Sequence, residues 1–235
     1  MEQISLNIIP KLQYTLGNFV LHEGVKDCFL SLQDICSRKG TNGFPAAFVV
    51  APERFGKTHL SMALTEWSAT QSLSVQVITG LDIPAFCYEI DSNQASPPNI
   101  LIVDDAQSYL LSVEPGGSGQ FVSLFEWAKR SGVSIVLLSS NPYQDFPCDA
   151  HIMSRLKSMA QLEVKPPGED DVAEIISILA KQRGFRLQPR SVEFIRRRLG
   201  RDLGSLEKYI DRLIHLAQVL GRSISLKSGL IGDAL

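Results

Sequence analysis

Short runs of consecutive apolar residues alternate with stretches of helical periodicity along the first two thirds of the chain. The runs at 46–50, 99–103 and 134–138 are short enough to be strands that are buried on both faces, and 74–78 is predicted to be another strand. Between and before them, apolar residues recur at helical spacing over 25–36, 59–68 and 121–130. Strands that alternate with helices predict a parallel α/β sheet, open and covered by helices.

The pattern changes at Lys165-Pro166-Pro167-Gly168, where the residue before each proline is pushed out of the α region. Beyond it no strand pattern recurs, and helical periodicity predicts helices over 169–183, 189–199 and 202–220. The sequence therefore predicts three parts. They are a tail at 1–12, an α/β base at 13–165 and a small all-helical lid at 166–235.

A phosphate-binding loop is predicted directly after the first strand, where APERFGKT matches GxxxxGK[ST] at every position except the first, Ala51. In such a loop, backbone N–H groups surround the phosphates, Lys57 reaches the β and γ groups, and the Thr58 hydroxyl binds magnesium. Gly56 completes the motif, and the strand before it and the helix after it are the required context. Because glycine accepts backbone angles that alanine resists, a degenerate loop without phosphate is the alternative.

Carboxylates follow the third predicted strand, which ends in Asp104 and Asp105. Ligands of open α/β sheets bind at this edge, so Asp104 is placed to hold magnesium with Thr58, and Asp105 to orient a hydrolytic water. The fourth strand runs into Ser140 and Asn141. One of these could sense a γ-phosphate, or the segment could be an ordinary Ser-Asn-Pro turn. A site for ATP or ADP with magnesium is expected here.

The charge and composition of the chain narrow the range of possible binding partners. The 235 residues carry a net charge of −2 and 44% hydrophobic residues, which excludes a disordered chain and argues against a general DNA binder. Residues 1–165 have 11 basic and 16 acidic side chains, whereas 166–235 have 12 and 9. The lid arginines at 196–198 could touch nucleic acid or an acidic partner, or form a solvated face.

The sequence predicts a protein that stays in the cytoplasm. No run of about 18 apolar residues and no signal sequence is present, so no membrane association is expected. The four cysteines lack metal-ligand spacing and are predicted to be reduced thiols. His59 is included among the nucleotide contacts because it follows Thr58, although a packing role is favoured for it. Trp67 and Trp127 are expected in the core.

The order of these motifs along the chain is similar to that in a known protein family. GKTHL, a VDD strand end, a polar strand end, Ser154-Arg155-Leu156 and a helical segment with Arg183-Gly184-Phe185 resemble the AAA+ module of the DnaA family. Within that family the chain is most similar to the Hda group of short DnaA-like regulators. The resemblance implies an AAA+ P-loop base with a helical lid, and no DNA-reading helix-turn-helix domain is expected after it.

Residue roles follow from the resemblance. Arg155 would be an arginine finger that reaches the γ-phosphate of ATP on another subunit, although the sequence alone favours a surface salt bridge. Gln3, Leu6 and Ile8 resemble the peptide by which such proteins bind the sliding clamp, the β subunit of the DNA polymerase. Gly204 occupies the place of a sensor arginine, which implies weak or no intrinsic ATPase and favours ADP or another nucleoside diphosphate.

Three functional hypotheses remain at this point. The first is a clamp-tethered negative regulator of chromosome replication initiation that stimulates hydrolysis of ATP held by DnaA, with DNA contact only indirect. The second is a free-standing AAA+ ATPase that assembles into a homo-oligomer and remodels or loads another replication protein. The third is a scaffold that keeps the AAA+ shape without a nucleotide.

Overall fold

The computed structural model describes residues 14–37, 43–92, 96–114, 119–199 and 203–219. The chain divides into two compact units. One is Thr15–Pro166, and the other contains the described residues Tyr14 and Pro167 onward. Among the described residues, no helix is long and apolar enough to cross a membrane.

The first unit contains a five-stranded sheet in which all strand pairs are parallel. Its strands lie in the order β2-β3-β4-β1-β5, which confirms the predicted α/β fold. The four predicted strands are present within one residue of the expected bounds. The fifth was not predicted, because it is short and mostly exposed and its sequence, AQLE, contains little apolar signal. The strands are β1 Ala46–Val50, β2 Val75–Thr79, β3 Ile100–Asp104, β4 Ser134–Ser139 and β5 Ala160–Glu163.

Helices cover both faces of this sheet. Successive side chains of β1 point to opposite faces of the sheet. Phe48 therefore lies in the core on one face, and Ala47 and Val49 lie in the core on the other face. Residues from α1 and α2 build the second core, and residues from α3, α5 and α6 build the first. The helices are α1 Glu23–Ser37, α2 Lys57–Thr70, α3 Ile83–Asp91, α4 Gln107–Leu110, α5 Gly119–Ser131 and α6 Ala150–Ser158.

The second unit is all helical in its described residues, with α7 Glu169–Gln182, α8 Pro189–Arg198 and α9 Leu203–Val219. Each helix contributes apolar side chains that are buried, among them Ile176, Ile195 and Ile210. The three predicted helices are therefore present, each within two residues of its expected bounds. Proline suits the first position of α8 because it has no N–H to leave unsatisfied there.

The lid arginines lie in a network of ion pairs on α8. Arg196 contacts both Glu193 and Glu169, at 2.8 and 3.0 Å, and Arg197 contacts Glu193 at 2.7 Å. Arg198 lies over the Phe194 ring, 4.1 Å from its centroid. The basic run thus resembles the solvated face that was one of the alternatives for it.

Candidate nucleotide-binding site

The three polar segments predicted for the site meet at one edge of the sheet. In the strand order, β4 lies between β3 and β1, and all three are parallel. Their carboxyl ends therefore lie side by side, with the phosphate loop after β1, the paired carboxylates after β3 and the Ser-Asn turn after β4. Ligands of open α/β sheets bind at this edge.

The phosphate loop leads directly into α2. Gly56 precedes the helix with a φ of 84°, a left-handed conformation that favours glycine. Ala51 is fully buried and does not have a positive φ, so alanine fits the backbone at the first position of the motif. The unfavourable conformation lies instead at Arg54, which has a φ of 66°. The motif leaves this position unspecified, so sequence reasoning could not find it.

Lys57 lies across the loop that precedes it. Its side chain is buried, with 9% of the residue exposed, and Nζ donates to the Ala51 carbonyl oxygen at 3.2 Å. The ammonium group is therefore held close to the loop backbone by an acceptor of that same loop. A cation in this place is suited to phosphate oxygens of a nucleotide.

Thr58 and Asp104 bring two oxygen ligands together from different elements. The Thr58 hydroxyl donates to Asp104 Oδ2 at 3.1 Å, and the Asp105 N–H donates to Asp104 Oδ1 at 2.9 Å. Burial raises the pKa of Asp104, and the Asp105 charge raises it further, while Thr58, the Asp105 N–H and Lys57 oppose both effects. Hydroxyl and carboxylate oxygens side by side fit magnesium, which prefers such ligands together with phosphate oxygens.

Gln107 joins the carboxylates to the neighbouring strand end. Its Nε2 donates to Asp105 Oδ1 at 3.0 Å, and its Oε1 accepts from the Ser140 N–H at 3.2 Å. Asp105 itself has a positive φ of 48°. The side-chain amide therefore fixes the carboxylate relative to the end of β4. Sequence reasoning missed this residue, because its contacts depend on β3 and β4 being neighbours.

A tight turn follows β4. The Ser139 hydroxyl donates to the Asn141 carbonyl oxygen at 2.7 Å and accepts from the Asn141 N–H at 3.0 Å. The Ser140 hydroxyl lies 3.2 Å from Asn141 Oδ1. The turn is thus formed by its own side chains, and it also lies at the ligand-binding edge. A sensor role for Asn141 stays a prediction.

His59 packs against the segment before α1. Its Nε2 lies 3.0 Å from the Thr15 carbonyl oxygen, and its ring meets Phe19 edge-on at 5.1 Å. Burial lowers the pKa of His59, and the Thr15 carbonyl partly opposes this effect. These contacts are those of the packing role, and its place among the nucleotide contacts stays a prediction. Trp127 is buried in the core on one face of the sheet, and Trp67 packs, partly buried, against the core on the other face.

Arg155 lies away from this cluster. It is in the last turn of α6, which leads to the start of β5, where Ala160 pairs beside Ala47. That is the amino-terminal edge of the sheet, opposite to the phosphate loop. Arg155 Nη2 forms an ion pair with Glu126 at 2.7 Å, the salt bridge that the sequence alone favoured. The described contacts of Arg155 include no residue of the phosphate loop.

Two other sequence predictions are not resolved by this geometry. Gln3, Leu6 and Ile8 lie outside the described residues. Gly204 lies in the first turn of α9, in the second unit. The described residues also contain no group of three or more His, Cys, Asp or Glu that could hold a metal ion without a nucleotide.

Sequence comparison relates the chain to replication initiators. The chromosomal replication initiator protein DnaA of Thermomicrobium roseum is 24% identical over 240 residues, which cover 96% of this chain and 51% of that protein. DnaA of Thermus thermophilus is 23% identical over 227 residues. The chain spans about half the length of the curated relatives it matches. No protein-family model matches the sequence.

Solved structures share the fold. Domain III of Thermotoga maritima DnaA superposes with a TM-score of 0.77 at 20% identity, covering 94% of this chain and 96% of that one. AMPPCP-bound DnaA of Aquifex aeolicus superposes with a TM-score of 0.68 at 18% identity, covering 91% of this chain and 75% of that one. The RuvB Holliday junction branch migration motor of Thermotoga maritima superposes with a TM-score of 0.68 at 16% identity, covering 94% of this chain and 71% of that one. The chain has a DnaA-like AAA+ architecture, and some proteins that share it bind a nucleotide analogue.

Proposed function

We propose that this DnaA-like AAA+ protein negatively regulates replication initiation by stimulating hydrolysis of ATP held by DnaA. In the proposal it binds its own nucleotide at the loop and carboxylate edge, and it presents Arg155 to the ATP of the other protein. The observation that carries this is the separation of the two features. The phosphate and magnesium ligands converge at one edge of the sheet, whereas Arg155 lies toward the opposite edge.

The chain's own site supports binding of ADP or ATP with magnesium. Lys57 already lies against the loop, so little rearrangement is needed to bring its ammonium to the phosphates. Thr58 and Asp104 offer adjacent oxygen ligands, and magnesium would neutralise charge on the bound phosphates. A cation there would also favour the ionised form of Asp104, whose pKa is raised.

The same site supports only weak intrinsic hydrolysis. Asp105 is the residue placed to orient a water, but its carboxylate accepts a hydrogen bond from Gln107. Gly204, where the DnaA family has a sensor arginine, has no side chain to contact a γ-phosphate. Both features favour a protein whose nucleotide sets its shape rather than one that turns ATP over rapidly.

Arg155 supplies the catalytic contribution of this mechanism in trans. A guanidinium neutralises charge spread over several phosphate oxygens, an effect of about 10³ to 10⁵ in rate in other systems. Because its described contacts include no residue of this chain's own phosphate loop, it is suited to a nucleotide on another molecule. Gln3, Leu6 and Ile8 would attach the protein to the sliding clamp on DNA, so that contact with DNA is indirect.

The test is ATP turnover in a mixture of this protein, ATP-loaded DnaA, sliding clamp and DNA. Arg155→Ala is expected to lose the stimulation, whereas Lys157→Ala, which removes a cation from the same helical turn, is expected to keep it. Equal stimulation by wild type and Arg155→Ala would refute the proposed role of Arg155. A pull-down with the clamp, comparing wild type with a Gln3→Ala, Leu6→Ala double variant, tests the tether separately.

A free-standing ATPase that remodels another replication protein is the second candidate. The paired carboxylates beside a phosphate loop favour it, since they are the ligands a hydrolytic site uses. Turnover by the purified protein alone, lost in Lys57→Ala, would support it over the first candidate. Calorimetric titration with ADP and ATP tests the scaffold alternative, which micromolar binding would remove.

A further inference from the structure

The guanidinium of Arg155 is engaged by its own chain. Nη2 donates to Glu126 Oε1 of α5 at 2.7 Å, and Nη1 donates to the His151 carbonyl oxygen one turn earlier in α6 at 2.9 Å. The Phe125 ring lies beneath the guanidinium, 5.9 Å from its carbon to the ring centroid. These contacts hold the charged end of the side chain against α5.

This docked position is incompatible with full recognition of a phosphate. Arg155 Nε is buried and has no hydrogen-bond acceptor among the described residues. A two-pronged contact through Nε and Nη2 is therefore blocked, and each terminal nitrogen has already given one N–H to a protein oxygen. Bidentate contacts of arginine with anions need two parallel N–H groups facing the same partner. Release from α5 frees these N–H groups for such a contact.

Resting on the proposed function, we propose that Glu126 is the positioning residue for Arg155. It holds the guanidinium against α5 in the free protein, and it competes with the phosphates of a nucleoside triphosphate on another subunit. A phosphate that takes the Nη2 N–H now given to Glu126 must displace the carboxylate. Glu126 therefore sets how readily the finger engages.

The structure limits the strength of this restraint. The Glu126 side chain is 46% exposed and that of Arg155 is 21% exposed, so the carboxylate rehydrates when the pair opens. Ion pairs of such exposure change an equilibrium by about 1.5-fold to fivefold. The unsatisfied Nε also lowers the stability of the docked position, because it regains a partner on release. A restraint of this size is easily displaced by a multiply charged phosphate group.

The experiment measures stimulated ATP hydrolysis as a function of the concentration of this protein, in the mixture described above. Glu126→Gln keeps the size of the side chain and an acceptor oxygen but removes the charge. We expect it to lower the half-saturating concentration by about 1.5-fold to fivefold at an unchanged maximal rate. Glu89→Gln removes the same charge from an exposed position on α3 and is expected to match wild type.

A half-saturating concentration that is unchanged or raised in Glu126→Gln would overturn the inference. A changed maximal rate would do so as well, because the released finger should act as it does in wild type. Arg155→Ala in the same assay separates this failure from that of the proposed function. If Arg155→Ala stimulates as well as wild type, the arginine finger itself is refuted, whatever Glu126 does.

The contact can also be measured without any partner. A double-mutant cycle combines Glu126→Gln with Arg155→Gln and follows urea unfolding of the full chain. A coupling of about 1.5-fold to fivefold in the unfolding equilibrium is expected. Zero coupling would mean that the pair does not form in solution, and it would refute the restraint independently of the hydrolysis result.

Discussion

Asp104→Asn is expected to stabilise the nucleotide-free protein while removing its magnesium-dependent nucleotide binding. The pKa of Asp104 is raised, first by burial and then by the Asp105 charge. A carboxyl group whose pKa is higher in the folded state is easier to ionise after unfolding. Its ionisation therefore lowers stability as the pH rises from the ordinary aspartate range through the raised value. At neutral pH the wild-type protein has lost all of the stability that ionisation of Asp104 removes.

The magnitude follows from the two hydrogen bonds that Asp104 accepts. The Asp105 N–H and the Thr58 hydroxyl each donate to one of its oxygens, at 2.9 and 3.1 Å. Asparagine keeps an oxygen for the N–H, and its amide can donate to the hydroxyl, so both contacts survive without the charge. Alanine loses both, at about 0.5–1.5 kcal/mol each. The asparagine variant should therefore exceed the alanine variant by about 1–3 kcal/mol.

The assay is urea unfolding of wild type, Asp104→Asn and Asp104→Ala between pH 4 and pH 8, without nucleotide. Asp104→Asn is expected to be more stable than wild type at neutral pH, with a gain that shrinks toward acidic pH. Calorimetry with ATP and magnesium should show that the same variant loses the magnesium-dependent part of the affinity. A lower stability of Asp104→Asn at neutral pH, or a gain that grows as the pH falls, would refute the reasoning.

Other perturbations test the loop, the thiols and the core. Arg54→Gly should raise stability, because it relieves a left-handed conformation that costs about 1–2 kcal/mol, whereas Arg54→Ala should not; equal urea midpoints would contradict this. Burial raises the pKa of Cys28 to about 12, so mass spectrometry after thiol labelling at neutral pH should find Cys148 modified well before Cys28. Leu32→Ala should cost about 2–5 kcal/mol of unfolding free energy, because Leu32 is fully buried. The same change at Leu30, which is 49% exposed, should cost far less, and similar losses at both positions would refute the assigned core.

The sheet was predictable wherever burial leaves an unbroken apolar run. Three strands with such runs were found, since buried parallel strands need apolar side chains on both faces. β2 was also found, although Gln76 interrupts its apolar run and its residues are partly exposed. β5 escaped because it lies at the edge and exposes most of its residues. α3 was missed even though Ile83, Phe86 and Cys87 are buried at helical spacing, because its nine residues make only a short amphipathic pattern. β5 was therefore missed because it has few apolar residues, and α3 because it is short.

The side chains that converge at the candidate site were predictable, whereas the contacts that connect them were not. The motif that contains Lys57 and Thr58 is continuous in sequence. Asp104 could be predicted because it follows a clear apolar strand. Gln107 could not be found, because its role depends on which strand lies beside β3, a property of the tertiary fold. The ion pair between Arg155 and Glu126 likewise joins residues of two helices that are 29 positions apart in sequence. Motifs identify ligands, whereas packing decides what restrains them.

The charge of the second unit bears on how the protein would meet DNA. Arg196 and Arg197 both contact Glu193, and they lower its pKa to about 2, so this acid stays ionised throughout the physiological range. A DNA phosphate would have to displace an intramolecular carboxylate from each of these arginines. Counterion release then supplies less affinity than the number of arginines suggests. The basic excess of the second unit is therefore weak support for direct DNA binding.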